Sequence, residues 1–434
     1  MPFHLNPTNE STPMANPSFQ SDLRHVIYAL SDALDLVGID DVAHGKRVGI
    51  MASECAKLMG LPEEESTFLF DLGMLHDIGV STTQTHQHLV SEFDWQESQV
   101  HAELGYALLR EFAPLSRMAI PVRYHHTRWD KLTTLPASEL TAQQAQEANL
   151  IFLVDRVDAL AAPWYGSGLF DHVEDVREHI RANAGSYFSP ELVDIFLEAS
   201  AAEAFWLLLE PRSIQSYQQD LLSRGMSYQP TFTELKQLSL VFSHIVDAKS
   251  PFTAYHSLGV ARLARFLAEC AGVSAENCDK LELAGLLHDL GKLRVPDEIL
   301  DKPGKLDAHE RLVMNTHSFE TFQILRSIAG FEEIAQWAAY HHEEPGGKGY
   351  PFHVHEKDLS IEARILRVAD IFQAMAQDRP YRAGWPADKV LRLLKELAND
   401  ARLDRSIVDL VEKNLAQAMK ISLPGQDEMR IRPT

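Results

Sequence analysis

Leu283–Pro296 reads LAGLLHDLGKLRVP. An apolar run delivers His288 and Asp289 side by side, then Gly291 and Lys292, and Pro296 closes the turn. An imidazole beside a carboxylate in apolar surroundings is costly to bury unless a charged partner joins them, and a metal ion is the usual partner. Alone the pair is a weak signal, because surface and capping roles are commoner; its neighbours decide. Upstream, His256 stands in TAYHSLGVARLARFLAECAG, whose apolar residues recur every three to four positions as an amphipathic helix requires. Downstream come His317, the pair His341–His342, and Asp370, each in or beside a helical pattern. Five imidazoles and two carboxylates form a mixed N/O set, which suits iron, manganese, zinc or nickel better than a thiolate-loving ion. Seven ligands exceed the needs of one tetrahedral ion, so two ions bridged by Asp289 are the economical reading.

The pattern occurs twice. His44, His76–Asp77, His101, His125–His126 and Asp155 repeat it in the first half. His44 to His76 and His256 to His288 are both 32 residues apart, and His101 to His125 and His317 to His341 are both 24. The local text agrees: DLGMLHDIG against LAGLLHDLG, and YHH in both. Ten of the 20 histidines fall in the two copies, which chance does not explain. A repeat of this length means two copies of one domain; a solenoid repeats every 20–50 residues or so.

The 434 residues therefore divide into two all-α units, tandem helical bundles joined by a linker helix. The expected boundaries are 1–20 (a Pro-, Asn-, Ser- and Thr-rich mobile tail), 21–209, a linker at 210–230, 231–422, and a polar tail at 423–434. Formal net charge is −22, which disfavours a nucleic-acid polymer or an anionic membrane as partner, since phosphate backbones are held by excess Lys and Arg. A small anionic substrate fits if cations are gathered locally. Three cysteines without a CxxC spacing suit a reducing cytoplasm. The start lacks a signal peptide, and no window approaches 18 uninterrupted apolar residues, so a soluble cytoplasmic protein is expected.

Three features separate the copies. Lys292 follows the second His-Asp pair where the first copy has Val80. After His341–His342 comes EEPGGKGYPF, with Gly349, Tyr350 and Pro351, where the first copy has TRWDKLTTLP. After Asp370 comes DRPYR, with Arg379 and Arg382, where the first copy has APWYG. Lys292, Arg379, Arg382 and Lys348 could form a cationic rim beside a dinuclear centre, as a phosphodiester requires in an acidic protein.

HDLGK, HHEEPGGKGYP and VAD…RPYR resemble the HD-GYP family, bacterial phosphodiesterases of cyclic dinucleotides, chiefly cyclic di-GMP. The resemblance covers roughly residues 231–420; the first half resembles the broader HD superfamily of metal-dependent phosphohydrolases without the GYP signature. It implies a helical bundle with a two- or three-metal centre, iron or manganese above all, with nickel, zinc and magnesium as alternatives. His256, His288, Asp289, His317, His341, His342 and Asp370 match the family's metal ligands, Asp289 the bridging one. Lys292 matches the lysine on the scissile phosphate, and Arg379 and Arg382 match phosphate-binding positions.

Three departures stand out. Phe252 replaces a glutamate found in trimetal members, which argues against a third ion. Glu344 and Gly346 depart from the HHE…DG pattern, and Gln373 replaces an aspartate three residues after Asp370. These leave open cyclic di-GMP versus 3′,3′-cyclic GMP–AMP. The expected chemistry is metal-assisted hydrolysis of a 3′–5′ phosphodiester; the rivals are a non-catalytic cyclic-dinucleotide receptor or scaffold and a general HD nucleotide phosphohydrolase. The first copy keeps every ligand position but lacks a counterpart of Lys292. It reads as a metal-binding or residually active unit, a regulatory domain, or a packing partner. A homodimer or a regulatory partner completes the expectations.

Overall fold

The computed structural model describes residues 21–38, 43–91, 93, 98–224, 228–250, 255–378 and 382–423. The two terminal tails (save Leu423), Gly225 of the linker, Phe252 and Arg379 lie outside the described residues. Among the described residues there are α-helices and short 3-10 turns but no β-strand, as the periodicity requires.

The helices begin where the sequence supplies caps. Thr141 with Gln144, Thr231 with Glu234, and Asp307 with Glu310 form reciprocal capping boxes at the starts of Ala142–Ala161, Phe232–Ala248 and Ala308–Leu325. Each box satisfies two backbone N–H groups that a helix start would otherwise leave bare.

In each copy a helix starting at the first histidine packs on the helix that ends at the His-Asp pair. These are His44–Leu58 with Glu63–Leu75, and His256–Cys270 with Ala275–Leu287. Glycine permits the close approach: a Cβ on Gly73 would lie 2.6 Å from the Gly49 Cα, and one on Gly285 2.6 Å from the Ala261 Cα. A long helix carrying the last aspartate closes each bundle, Ala142–Ala161 in the first copy and Ile361–Ala376 in the second. The stretch expected to link the copies contains the helix Pro211–Arg224, which packs on His44–Leu58.

One apolar core runs through both copies. The first helix, Leu23–Asp35, touches Ala308–Leu325 and the turn Leu290–Arg294 of the second copy. Reciprocally, Lys249, just beyond the helix Phe232–Ala248, reaches the first copy: its Nζ lies 3.4 Å from Thr83 Oγ1 and 3.5 Å from the Ser81 carbonyl, and donates to Asp297 Oδ1 at 2.9 Å. No helix of the described residues is long and apolar enough to cross a membrane.

Candidate metal centres

His256 opens its helix directly after Tyr255, whose backbone is left-handed (φ 65°). Tyr255 makes no side-chain cap there; instead the buried Asp247 of the preceding helix accepts from the Ser257 N–H at 3.2 Å and the Ser257 hydroxyl at 2.9 Å. That contact anchors the first turn and so aims the His256 ring. His288 and Asp289 sit at the end of Ala275–Leu287, where the chain turns into Leu290–Arg294. Gly291 lets this turn approach the helix bearing His317: a Cβ there would fall 2.1 Å from the His317 carbonyl oxygen, and one on Gly79 would fall 2.0 Å from that of His101.

The structure gathers all seven predicted ligands of the second copy. His256, His288 and Asp370 form one set of converging donor atoms, His317, His341 and His342 another, and His288, Asp289 and His341 connect them. Asp289 divides its oxygens. Oδ2 lies 3.3 Å from His288 Nε2 and 3.8 Å from His256 Nε2, while Oδ1 lies 3.6 Å from His317 Nε2 and 3.7 Å from His341 Nε2. One carboxylate oxygen facing each histidine set is the arrangement of a ligand shared by two ions.

The ring nitrogens are sorted for coordination. His288, His317 and His341 each donate Nδ1–H to the carbonyl three residues earlier, Gly285, Met314 and Ala338, at 2.8, 2.7 and 2.6 Å. Their Nε2 lone pairs are thereby left for a metal. His288 Nε2 and Asp289 Oδ1 are buried without a hydrogen-bond partner. Orphaned polar atoms of this kind cost free energy unless an ion satisfies them. Burial pushes His317 down to about 4 and holds His341 and His342 well below the usual imidazole range, keeping them neutral as ligands must be. Burial would raise Asp289, but His288 and Lys292 beside it hold its carboxyl well below the usual range. This donor set fits divalent ions.

The first copy repeats the geometry. His44, His76 and Asp77 converge, as do Asp77, His101, His125 and His126. Asp77 again splits its oxygens, Oδ2 towards His76 (3.5 Å) and His44 (3.9 Å), Oδ1 towards His101 (3.2 Å) and His125 (3.5 Å). His76 Nε2, Asp77 Oδ1 and His126 Nε2 are orphaned in the same way. Asp155 lies 3.3 Å from His44, but Arg156 grips its other oxygen at 2.9 Å. Copy two has Ile371 in that place.

Of the predicted cationic rim, Lys292, Lys348 and Arg382 lie among the described residues. Lys292 Nζ pairs with Asp289 Oδ2 at 2.5 Å, at the edge of the centre; the first copy's Val80 is buried and apolar. Arg382 donates to the Ala374 carbonyl at 2.7 Å. Ala374 is four residues beyond Asp370, so this contact lies about one helical turn along the helix from that aspartate. Lys348 is exposed.

Gly349 and Tyr350 roof the second centre. A Cβ on Gly349 would lie 2.4 Å from the Glu343 Cα, and the Tyr350 ring lies 4.7 Å from that of His342. The sequence reading missed Glu343, which organises this loop: its carboxylate accepts from the N–H groups of Phe352, His353 and Val354 at 2.7, 3.1 and 3.0 Å. Its position directly after His342 was the available signal. Glu344, read as a departure bearing on substrate, is instead bound to Arg367 and Arg402, both at 2.9 Å, and ties the helix Ile361–Ala376 to the chain beyond it. Gly346 donates its N–H to the Ala401 carbonyl at 3.0 Å. Both are committed to packing.

Comparison with known proteins agrees with this geometry. Family models described as HD domain match residues 42–160 and 240–407, which makes each half an HD domain, the class of metal-dependent phosphohydrolases. The chain is 35% identical over 413 residues to the 3′3′-cGAMP-specific phosphodiesterase 1 of Vibrio cholerae, covering 94% of this chain and 95% of that protein. It is 37% identical over 165 residues to the cyclic di-GMP phosphodiesterase response regulator RpfG of Xanthomonas campestris, covering 37% of this chain and 43% of that one. Among solved structures, a cyclic GMP–AMP-specific phosphodiesterase of V. cholerae (V-cGAP3) superposes with a TM-score of 0.61 at 25% identity, over 94% of this chain and 99% of that one. The chain belongs to the HD-GYP family of cyclic-dinucleotide phosphodiesterases, with a second HD domain ahead of the one that carries the GYP loop.

Proposed function

We propose that the second centre hydrolyses 3′,3′-cyclic GMP–AMP in preference to cyclic di-GMP. The observation that carries the chemistry is Asp289, with one oxygen towards each histidine set and Lys292 at its edge. The substrate choice rests on the full-length relative named for 3′3′-cGAMP, whereas the relatives named for cyclic di-GMP match shorter stretches.

His256, His288, Asp289, His317, His341, His342 and Asp370 would hold two divalent ions, iron or manganese by the mixed N/O donor set. Such ions supply Lewis acidity towards a phosphoryl oxygen and activate water. Lys292 places an ammonium where charge develops on the equatorial oxygens, and Arg382, with Arg379, would hold the outer phosphate. Tyr350 stands over His342 and shields the centre from solvent. Burial favours the neutral form of His317, His341 and His342, and the backbone bonds at Nδ1 of His288, His317 and His341 leave their Nε2 atoms for a metal.

The first centre, in this reading, holds metal without handling phosphate. Val80 offers neither charge nor a hydrogen bond where Lys292 stands, and Arg156 is spent on Asp155. The units are residues 21–209 and 231–422, joined through 210–230. Three unpaired cysteines suit a reducing cytoplasm.

Protein purified anaerobically, loaded with Fe(II) or Mn(II) and given each dinucleotide separately tests the proposal, with products resolved by mass spectrometry. Faster cleavage of 3′,3′-cyclic GMP–AMP is expected. Tight binding of both without turnover would leave a receptor, and faster cleavage of cyclic di-GMP would reverse the substrate assignment.

A further inference from the structure

The first histidine of each centre is buttressed differently. His44 Nε2 lies 3.3 Å from Asp155 Oδ1, and His256 Nε2 lies 3.2 Å from Asp370 Oδ1. Their opposite nitrogens meet residues at the same helical position, three beyond the last aspartate. His44 Nδ1 is 2.8 Å from Asp158 Oδ2, and His256 Nδ1 is 2.5 Å from Gln373 Oε1.

The exchange of carboxylate for amide is matched one turn along the histidine helix. Arg47, three residues after His44, grips Asp158 through Nε at 2.7 Å and Nη2 at 2.8 Å. Its counterpart in the second copy is Gly259. A Cβ there would lie 2.4 Å from the Ser422 carbonyl oxygen and 2.9 Å from Gln373 Cγ, so no arginine fits. A carboxylate at position 373 would be buried without that cation, which is strongly unfavourable. A neutral acceptor is what the site accommodates. Gln373 is 1% exposed, and its Nε2 donates to Gln377 Oε1 at 3.0 Å. That second bond orients the amide with Oε1 towards His256.

We propose that Gln373 is a positioning residue of the second centre: it accepts the Nδ1 proton of His256, so that Nε2 presents its lone pair to a metal, and it does so without charge because Gly259 stands where the first copy has Arg47. The proposal rests on the reading that the second centre binds metal. Partners of this kind fix ring orientation and tautomer, and their loss typically weakens metal binding about 10–100-fold.

The test is Mn(II) binding to the full chain, titrated calorimetrically, with Asp289→Ala defining the second-centre component. Gln373→Leu and Gln373→Met, which remove the acceptor at similar volume, are expected to weaken that component about 10–100-fold. Their kcat should recover at saturating Mn(II). Gln373→Glu, which keeps an acceptor oxygen, is expected to retain Mn(II) affinity while lowering the melting temperature. Gln377→Leu, which frees the amide to turn, should weaken Mn(II) in the same direction but less. Unchanged Mn(II) affinity in folded Gln373→Leu or Gln373→Met overturns the proposal alone. Wild-type uptake no greater than that of Asp289→Ala overturns the metal reading, and the proposal with it.

Discussion

Lys292 and Val80 occupy the same place, three residues after Asp289 and Asp77 respectively, and divide the two copies more sharply than any candidate ligand does. The Lys292 ammonium, 2.5 Å from Asp289 Oδ2, can reach a phosphate that Asp289's ions would hold. Removing one preorganised charge-stabilising donor typically costs about 10²–10³ in rate. Lys292→Met should therefore lower kcat/KM by about that factor while metal content, read by elemental analysis, stays near wild type. A fall in metal content instead would assign Lys292 to holding the carboxylate. At this scale the sequence was highly legible. The identity and spacing of the candidate ligands are covalent facts, and the 32- and 24-residue intervals repeat because each copy sets the same helices between them. What contacts the ligands from behind was not legible. Gln373 read as a departure with a bearing on substrate, whereas it meets His256 across 117 residues of chain, a pairing that only the fold creates.

At the scale of elements, glycine spacing sets how closely the ligand-bearing segments meet. Gly291→Ala would place a methyl group 2.1 Å from the His317 carbonyl, and backbone cannot yield as a side-chain tip does. A loss of at least about 2 kcal/mol in denaturant unfolding is expected, together with weaker metal binding as His317 is displaced.

Glu343 gives a second test. Glu343→Leu strips three backbone N–H groups of their acceptor, so the GYP loop should loosen and KM rise more than kcat falls.

The pair of helices Leu23–Asp35 and Glu63–Leu75 carries a pH signature. Burial pushes Asp71 up to about 6, although Arg24 and the Tyr28 hydroxyl beside it act to lower it. A carboxyl raised in the folded state contributes most to stability below its unfolded value near 4, and that contribution is lost as pH rises through about 6. Asp71→Asn should thus stabilise the protein at pH 8 by up to about 3 kcal/mol and have little effect at pH 4, read from melts across that range. The helical periodicity foretold both helices, but not that Tyr28 and Arg24 would converge on Asp71, because burial depends on packing between segments some 40 residues apart.

For the whole molecule, the sequence announced two copies of one unit and was silent on how they join. The joint is reciprocal. Leu23–Asp35 leans on the second copy's Leu290–Arg294 turn, and Lys249 plugs into the stretch after the first copy's His-Asp pair. Lys249 carries no periodic signal, and its partner Asp297 lies 48 residues away. With its side chain fully buried, Lys249→Met leaves Asp297 without its cation and should cost roughly 3 kcal/mol in denaturant unfolding. Because one core spans both copies, the wild-type chain should still unfold in a single transition by calorimetry; two separated transitions would show that the copies are independent.

The central claim is that hydrolysis belongs to the second copy although both copies keep the candidate ligand positions. It is tested most directly by turnover of 3′,3′-cyclic GMP–AMP in the metal-loaded full chain carrying Asp289→Ala or Asp77→Ala. The account predicts that Asp289→Ala abolishes turnover and that Asp77→Ala retains most of it. Loss of turnover with Asp77→Ala alone would contradict the account and move the chemistry to the first copy.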